Sequence, residues 1–155
     1  MPFLPEIKLL KGFCNITFGE TPDSIRKTFG EPEEIQDLND EILNTSSRVF
    51  HYWDLGFSLF FDMHKNQTFC SAEIDNKETL LMGEPIFKLN EKELTEFMKK
   101  LGFSLSDKET HEWGEKRLSF DEAGLDCYFQ NNKMVSVNFG ITENGDNYYY
   151  FPNWI

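Results

Sequence analysis

Asp62-Met63-His64 is the stretch where residue types and spacing come nearest to chemistry. Alternate side chains of an extended backbone share a side, so a carboxylate and an imidazole would stand there together, as two metal ligands can. The tripeptide also falls at an expected hairpin turn, where Asp and His are ordinary, and the turn is the preferred reading. His111-Glu112 lies in an acidic stretch with no Cys or His nearby. His51 precedes Tyr52 and Trp53 in an expected strand, where a partly buried or hydrogen-bonded imidazole is the ordinary outcome. With three His in the chain, a zinc site would have to draw most of its ligands from carboxylates. A glycosidase-type carboxylate pair needs only two acids at the right separation. With 27 acids present, every pairing is cheap and none is informative. No GxSxG elbow, Walker loop, dinucleotide fingerprint or HExxH helix occurs. The expectation is a protein with no catalytic, cofactor-binding or metal residues. A small metal-dependent hydrolase is the least favoured alternative.

Charge narrows the partner classes. The 27 acids face 15 Lys and Arg, giving −12 with His neutral, and both halves of the chain are acidic. Attraction to nucleic-acid phosphates or anionic lipid depends on Lys and Arg, so neither partner is expected. A basic protein fits. Cys14, Cys70 and Cys127 form no CxxC pair and are odd in number, which suits free thiols in a reducing cytoplasm. Met1 to Lys11 has two prolines and an early acid rather than the apolar core of a signal peptide. No apolar run approaches the roughly eighteen residues of a membrane span. A cytoplasmic location is the expectation.

The elements that must position these residues are written nearly twice. Thr21-Pro22 opens a short helix with Ile25 and Phe29 four apart and Gly30 at its end. Asn90 and Glu93 form a capping-box pair, and Leu94, Phe97, Met98 and Leu101 follow at helical spacing before Gly102. A Gly-apolar-polar-x-aromatic-Phe strand then follows each helix, at Gly56 and at Gly124. The spacing predicts strands over residues 48–53, 57–62 and 69–75, and again over 117–121, 125–130 and 134–139. Short polar turns connect them. Residues 31–45 read either as a second short helix, on Ile35, Leu38, Ile42 and Leu43, or as an acidic loop. The expected fold class is α+β: two tandem pseudo-symmetric repeats, each a capped helix on an antiparallel sheet, with one continuous sheet an option. The expected units are residues 1–82 and 83–155, divided near Gly83. The second carries an aromatic tail from Tyr148 to Trp154 that would cover apolar surface or present an interaction patch.

On the stretches Gly19 to Pro32, Tyr52 to Asp75, Asn90 to Gly102 and Phe120 to Phe139, the layout resembles duplicated α+β modules of the β-lactamase-inhibitor-protein-like and outer-membrane-assembly-lipoprotein-like type. Some bacterial immunity proteins look similar. The resemblance implies a non-enzymatic protein-binding module, an immunity protein or inhibitor capping a basic partner. Its contacts would be Glu33, Glu34, Asp37, Asp40, Trp53, Trp113, Tyr149 and Trp154, the acids steering encounter and the aromatics anchoring it. The alternative is a structural protein that self-associates as a homodimer.

Overall fold

The computed structural model describes residues 3–42, 45–63 and 67–141. The chain opens with three short strands, β1 (Glu6–Lys8), β2 (Gly12–Phe13) and β3 (Ile16–Thr17), followed by helix α1 (Pro22–Phe29). An antiparallel run comes next: β4 (Glu34–Asp40), β5 (Thr45–Tyr52), β6 (Phe57–Asp62) and β7 (Thr68–Ile74). Two short strands, β8 (Leu80–Leu81) and β9 (Glu84–Pro85), lead through a 3-10 turn to α2 (Glu91–Lys100). A second antiparallel run closes the described chain: β10 (Asp107–Thr110), β11 (Glu115–Phe120), β12 (Leu125–Gln130) and β13 (Lys133–Gly140).

Two sheets result. The larger has eight strands in the order β10-β11-β12-β13-β7-β6-β5-β4, antiparallel throughout, and the smaller runs β3-β2-β1-β8-β9. The seam of the large sheet is β7 against β13, with Ile74 opposite Val137 and Gly140 opposite Ser71. Gly83 falls in the turn between β8 and β9.

The α+β expectation of two capped-helix repeats is overturned: the described residues are mostly β, with two short α-helices and two sheets among them. The misreading has a physical source in the edge strands. Residues 31–45, read as helix or acidic loop, contain β4, paired residue for residue with β5 from Glu34↔His51 to Asp40↔Thr45. An edge strand is paired on one side only, so it need not show the apolar alternation of an interior strand. Charge on it also discourages edge-to-edge association. β10, with Asp107 and Glu109, is the opposite edge, and all four of its residues are exposed. The sheet is thus longer at both ends than its apolar strands announce.

The helices stop and start where the capping residues require. Ser24 N–H donates to Thr21 Oγ1 at 3.3 Å, and Gly30 closes α1 at φ +83°. Asn90 and Glu93 cap each other reciprocally at α2, at 2.8 and 3.0 Å. Ile25 from α1, and Leu94 and Met98 from α2, are fully buried against the inner face of the large sheet. One apolar cluster joins them to Phe50, Phe57, Phe61, Phe120, Phe129 and Phe139, with Phe13 and Ile16 entering from the small sheet.

Candidate functional site

Strand alternation places one set of side chains on the face away from the helices, and the register aligns them. Glu34, His51, Ser58, Glu73, Asn138, Asp126, Ser119 and Asp107 are successive partners across all eight strands. This polar row carries four carboxylates and one imidazole. Its middle is buried, with Asn138 at 3% and Asp126 at 8% exposure, while Glu34 and Asp107 at its ends are exposed. Buried polar groups demand partners. Arg117, one residue pair over, lies 2.8 Å from Asp107 and 3.1 Å from Glu109 through Nη2, and Asp126 adds to the field that stabilises its charge. Asn138 Nδ2 donates to Tyr128 Oη at 3.5 Å. Burial, reinforced by Asp126, pushes the Tyr128 hydroxyl up to about 12, so it is a hydrogen-bonding group rather than a phenolate.

Glu73 is the row's perturbed carboxyl. Burial, reinforced by Asp75, raises it above the usual carboxylate range. The folded state therefore holds this proton more tightly than the unfolded chain does. Its contribution favours folding below the unfolded carboxylate value and is lost as pH rises through the folded value. Glu73→Gln is expected to raise the urea midpoint at about pH 7 and to change it little at about pH 4. An equal change at both pH values would contradict a burial-strained carboxylate.

One end of the large sheet gathers the exposed aromatics. The start of β4, the β5–β6 turn, the β12–β13 turn and the β10–β11 turn all lie there, as the antiparallel order requires. Trp53, in the β5–β6 turn, is 56% exposed and stacks on His51 with ring centroids 5.0 Å apart and planes at 19°. Trp113, in the β10–β11 turn, is 66% exposed and stacks on His111 at 4.5 Å and 3°. Both imidazoles are themselves held. His51 shares hydrogen bonds with Ser58 Oγ at 2.7 Å and Gln36 Oε1 at 3.0 Å, and burial lowers its pKa against the pull of Glu34. His111 Nε2 lies 3.3 Å from Glu109. Gln130 Nε2 also donates to the Trp113 carbonyl at 3.3 Å. Each indole is an exposed apolar plate on a fixed support.

The acids group unevenly around these plates. Glu33 Oε1 accepts from the Asp54 N–H at 3.0 Å, tying the start of β4 to the Trp53 turn, and Glu34 stands opposite His51. Asp37 lies farther along β4 on the other face, engaged by Arg48 Nε at 2.8 Å, whose hydrogen bonding holds its carboxyl below the usual range. Asp40 ends β4 opposite Thr45. The structure therefore brings Glu33, Glu34 and Trp53 together and leaves Asp37 and Asp40 apart from them. Trp113 sits near the opposite edge, with Glu109 and Glu112 close in sequence. Tyr149, Trp154 and the rest of the aromatic tail, like His64, lie outside the described residues.

Among the described residues no group of three or more His, Cys, Asp or Glu could hold a metal ion. No described helix is long and apolar enough to cross a membrane. His51 is partly buried and hydrogen-bonded, as its strand position led one to expect, but sequence reasoning missed the stacking of His51 and His111 on the indoles and missed the polar row. The row had a readable signal: Asp126, Tyr128 and Gln130 in β12, and Ser136 and Asn138 in β13, are polar residues alternating with apolar ones in interior strands.

A crystal structure of a DUF4309 family protein (YjgB) from Bacillus subtilis is 18% identical, covers 77% of each chain and superposes with a TM-score of 0.43. At that score the likeness carries no argument. No family model and no curated protein matches the chain.

Proposed function

We propose that this chain is a non-enzymatic protein-binding module that docks a basic protein through the tryptophan-bearing end of its large sheet, as an immunity protein or inhibitor would. The observation that carries the reading is the pair of exposed indoles, Trp53 and Trp113, each braced by a stacked histidine at the same end of the sheet. Trp is enriched among the residues that anchor protein interfaces. The two turns are about five strand spacings apart, roughly 24 Å along the sheet. Such a span suits a folded partner better than a short peptide. Glu33, Glu34 and Asp54 flank one indole and Glu109 and Glu112 the other, within a chain of net charge −12. The partner's complementary charge is therefore positive. Cys14, Cys70 and Cys127 form no disulfide, which favours the cytoplasm as the place of this encounter.

Immobilised wild-type protein is expected to retain a Lys/Arg-rich protein that elutes at high salt. Trp53→Ala with Trp113→Ala should cut that affinity by at least about 100-fold, since anchor residues cost about 2 kcal/mol or more each. The far-ultraviolet dichroism of the variant should stay unchanged. Retention of the same protein by both forms would rule this surface out. A concentration-dependent dimer in light scattering that the double variant abolishes would assign the indoles to self-association instead.

A further inference from the structure

On the inner face, between α2 and the β10–β12 strands, lies a groove of about 850 Å³. Small-molecule sites span about 300–1,000 Å³ and combine an apolar wall with a few placed polar groups. This groove has both. Leu118 and Phe129 supply a buried apolar floor, and Leu105 adds an exposed apolar side chain at the lining. The register explains the polar part. Lys108 opposes Leu118, and Lys116 opposes Phe129, so both lysines share the inner face with the floor residues. Glu91, the first residue of α2, sets its carboxylate between them, with Oε1 3.2 Å from Lys108 Nζ and Oε2 3.6 Å from Lys116 Nζ. The Glu91 N–H donates to Asn132 Oδ1 at 3.2 Å, which fixes the helix start to the β12–β13 turn.

One carboxylate cannot balance two ammonium groups. The remaining charged lining residues, Lys92 and Glu96, cancel each other, so the groove keeps one positive charge inside a protein of net −12. We infer that this groove binds a small organic monoanion, its anionic head at Lys108 and Lys116 and its apolar body on Leu105, Leu118 and Phe129. A neutral ligand would leave the spare ammonium uncompensated, and a dianion would exceed the charge available. The groove borders the tryptophan surface at Gly114, beside Trp113, but it takes a different ligand and its test does not depend on the docking of a protein there.

8-Anilinonaphthalene-1-sulfonate, a monoanion on an aromatic body, is a direct probe when titrated into the intact chain by calorimetry at fixed ionic strength. Saturable one-to-one binding is expected. The neutral N-phenyl-1-naphthylamine should bind at least about tenfold more weakly, the weight of one charge-assisted hydrogen bond. Lys108→Gln with Lys116→Gln should weaken the sulfonate by about tenfold or more, and either single variant by about threefold should the pair fail to fold. Glu91→Gln, which removes the competing carboxylate, should tighten it, a gain that a purely structural Glu91 would not produce. Equal binding of the neutral analogue, unchanged affinity in a folded lysine variant, or no saturable binding would overturn the inference.

Discussion

Phe57→Ala should be among the most damaging single truncations in this protein, lowering stability by about 3–5 kcal/mol. Phe57 begins β6 and is 3% exposed. Its ring lies 4.8 Å from Phe13, 5.0 Å from Phe29, 5.3 Å from Tyr52 and 5.9 Å from Phe3. Those neighbours come from the small sheet, the end of α1, the adjacent strand and the N-terminal segment, so one side chain joins four parts of the chain. Replacing it with Ala loses the transfer free energy of the ring and leaves a void that aromatic walls cannot easily collapse into. Phe3, at 37% exposure, touches Phe29 and Phe57 from the rim, and Phe3→Ala should cost about 1 kcal/mol. Equilibrium urea unfolding with an unchanged slope would measure both. A Phe57→Ala loss no greater than that of Phe3→Ala would show that the aromatic cluster is not the centre of the core.

Gly140→Ala should separate the two halves of the large sheet at their seam. The reason is space. A Cβ at Gly140 would stand 2.6 Å from the Cys70 carbonyl oxygen and 2.6 Å from Ser71 Cβ, with Ser71 Cα at 3.0 Å. Two of those three atoms are backbone, so no side-chain rotation relieves the contact, and β13 must move away from β7. The hydrogen bonds at risk are Ile141 N–H to the Cys70 carbonyl and Gly140 N–H to the Gly124 carbonyl, both at 3.0 Å. Forced overpacking of this kind costs about 1–3 kcal/mol. Amide exchange should accelerate first at the seam, in residues 70–74 and 137–140. Gly83→Ala is the contrasting case: nothing lies within 4 Å of its Cβ position, but φ is +81°, so the cost is conformational, about 1–2 kcal/mol. Wild-type exchange rates at the seam in Gly140→Ala would contradict the crowded geometry.

The helices and interior strands were legible because their signals are local. Thr21-Pro22, the Asn90/Glu93 pair and the terminal glycines mark helix ends through backbone chemistry that acts within a few residues. Interior strands such as β6 and β12 carry alternation imposed by burial. The edge strands obey another constraint. β4 and β10 are selected to remain solvated and charged, which in a sequence looks like a loop or a polar helix face. The small sheet escaped because its strands are two or three residues long and pair across distant segments, as β1 with β8. The candidate site divides the same way. Trp53 and Trp113 stand out in the sequence as large aromatics beside turns, whereas the stacking of His51, at the end of β5, and His111, after β10, depends on geometry that a two-residue spacing does not announce. The polar row depends on registers that only pairing fixes.

The seam between β7 and β13 also sets an order of events during synthesis. β7 is complete at Ile74, but the strand that shields its free side is not made until residues 137–140 emerge. In that interval the edge of residues 71–74, bearing Ala72 and Ile74, has no strand partner in the growing chain, and such edges invite pairing with other chains. The closure also joins residues more than sixty positions apart, a high-contact-order step that slows folding. The vulnerable moment for this protein is therefore the wait for its own last described strand.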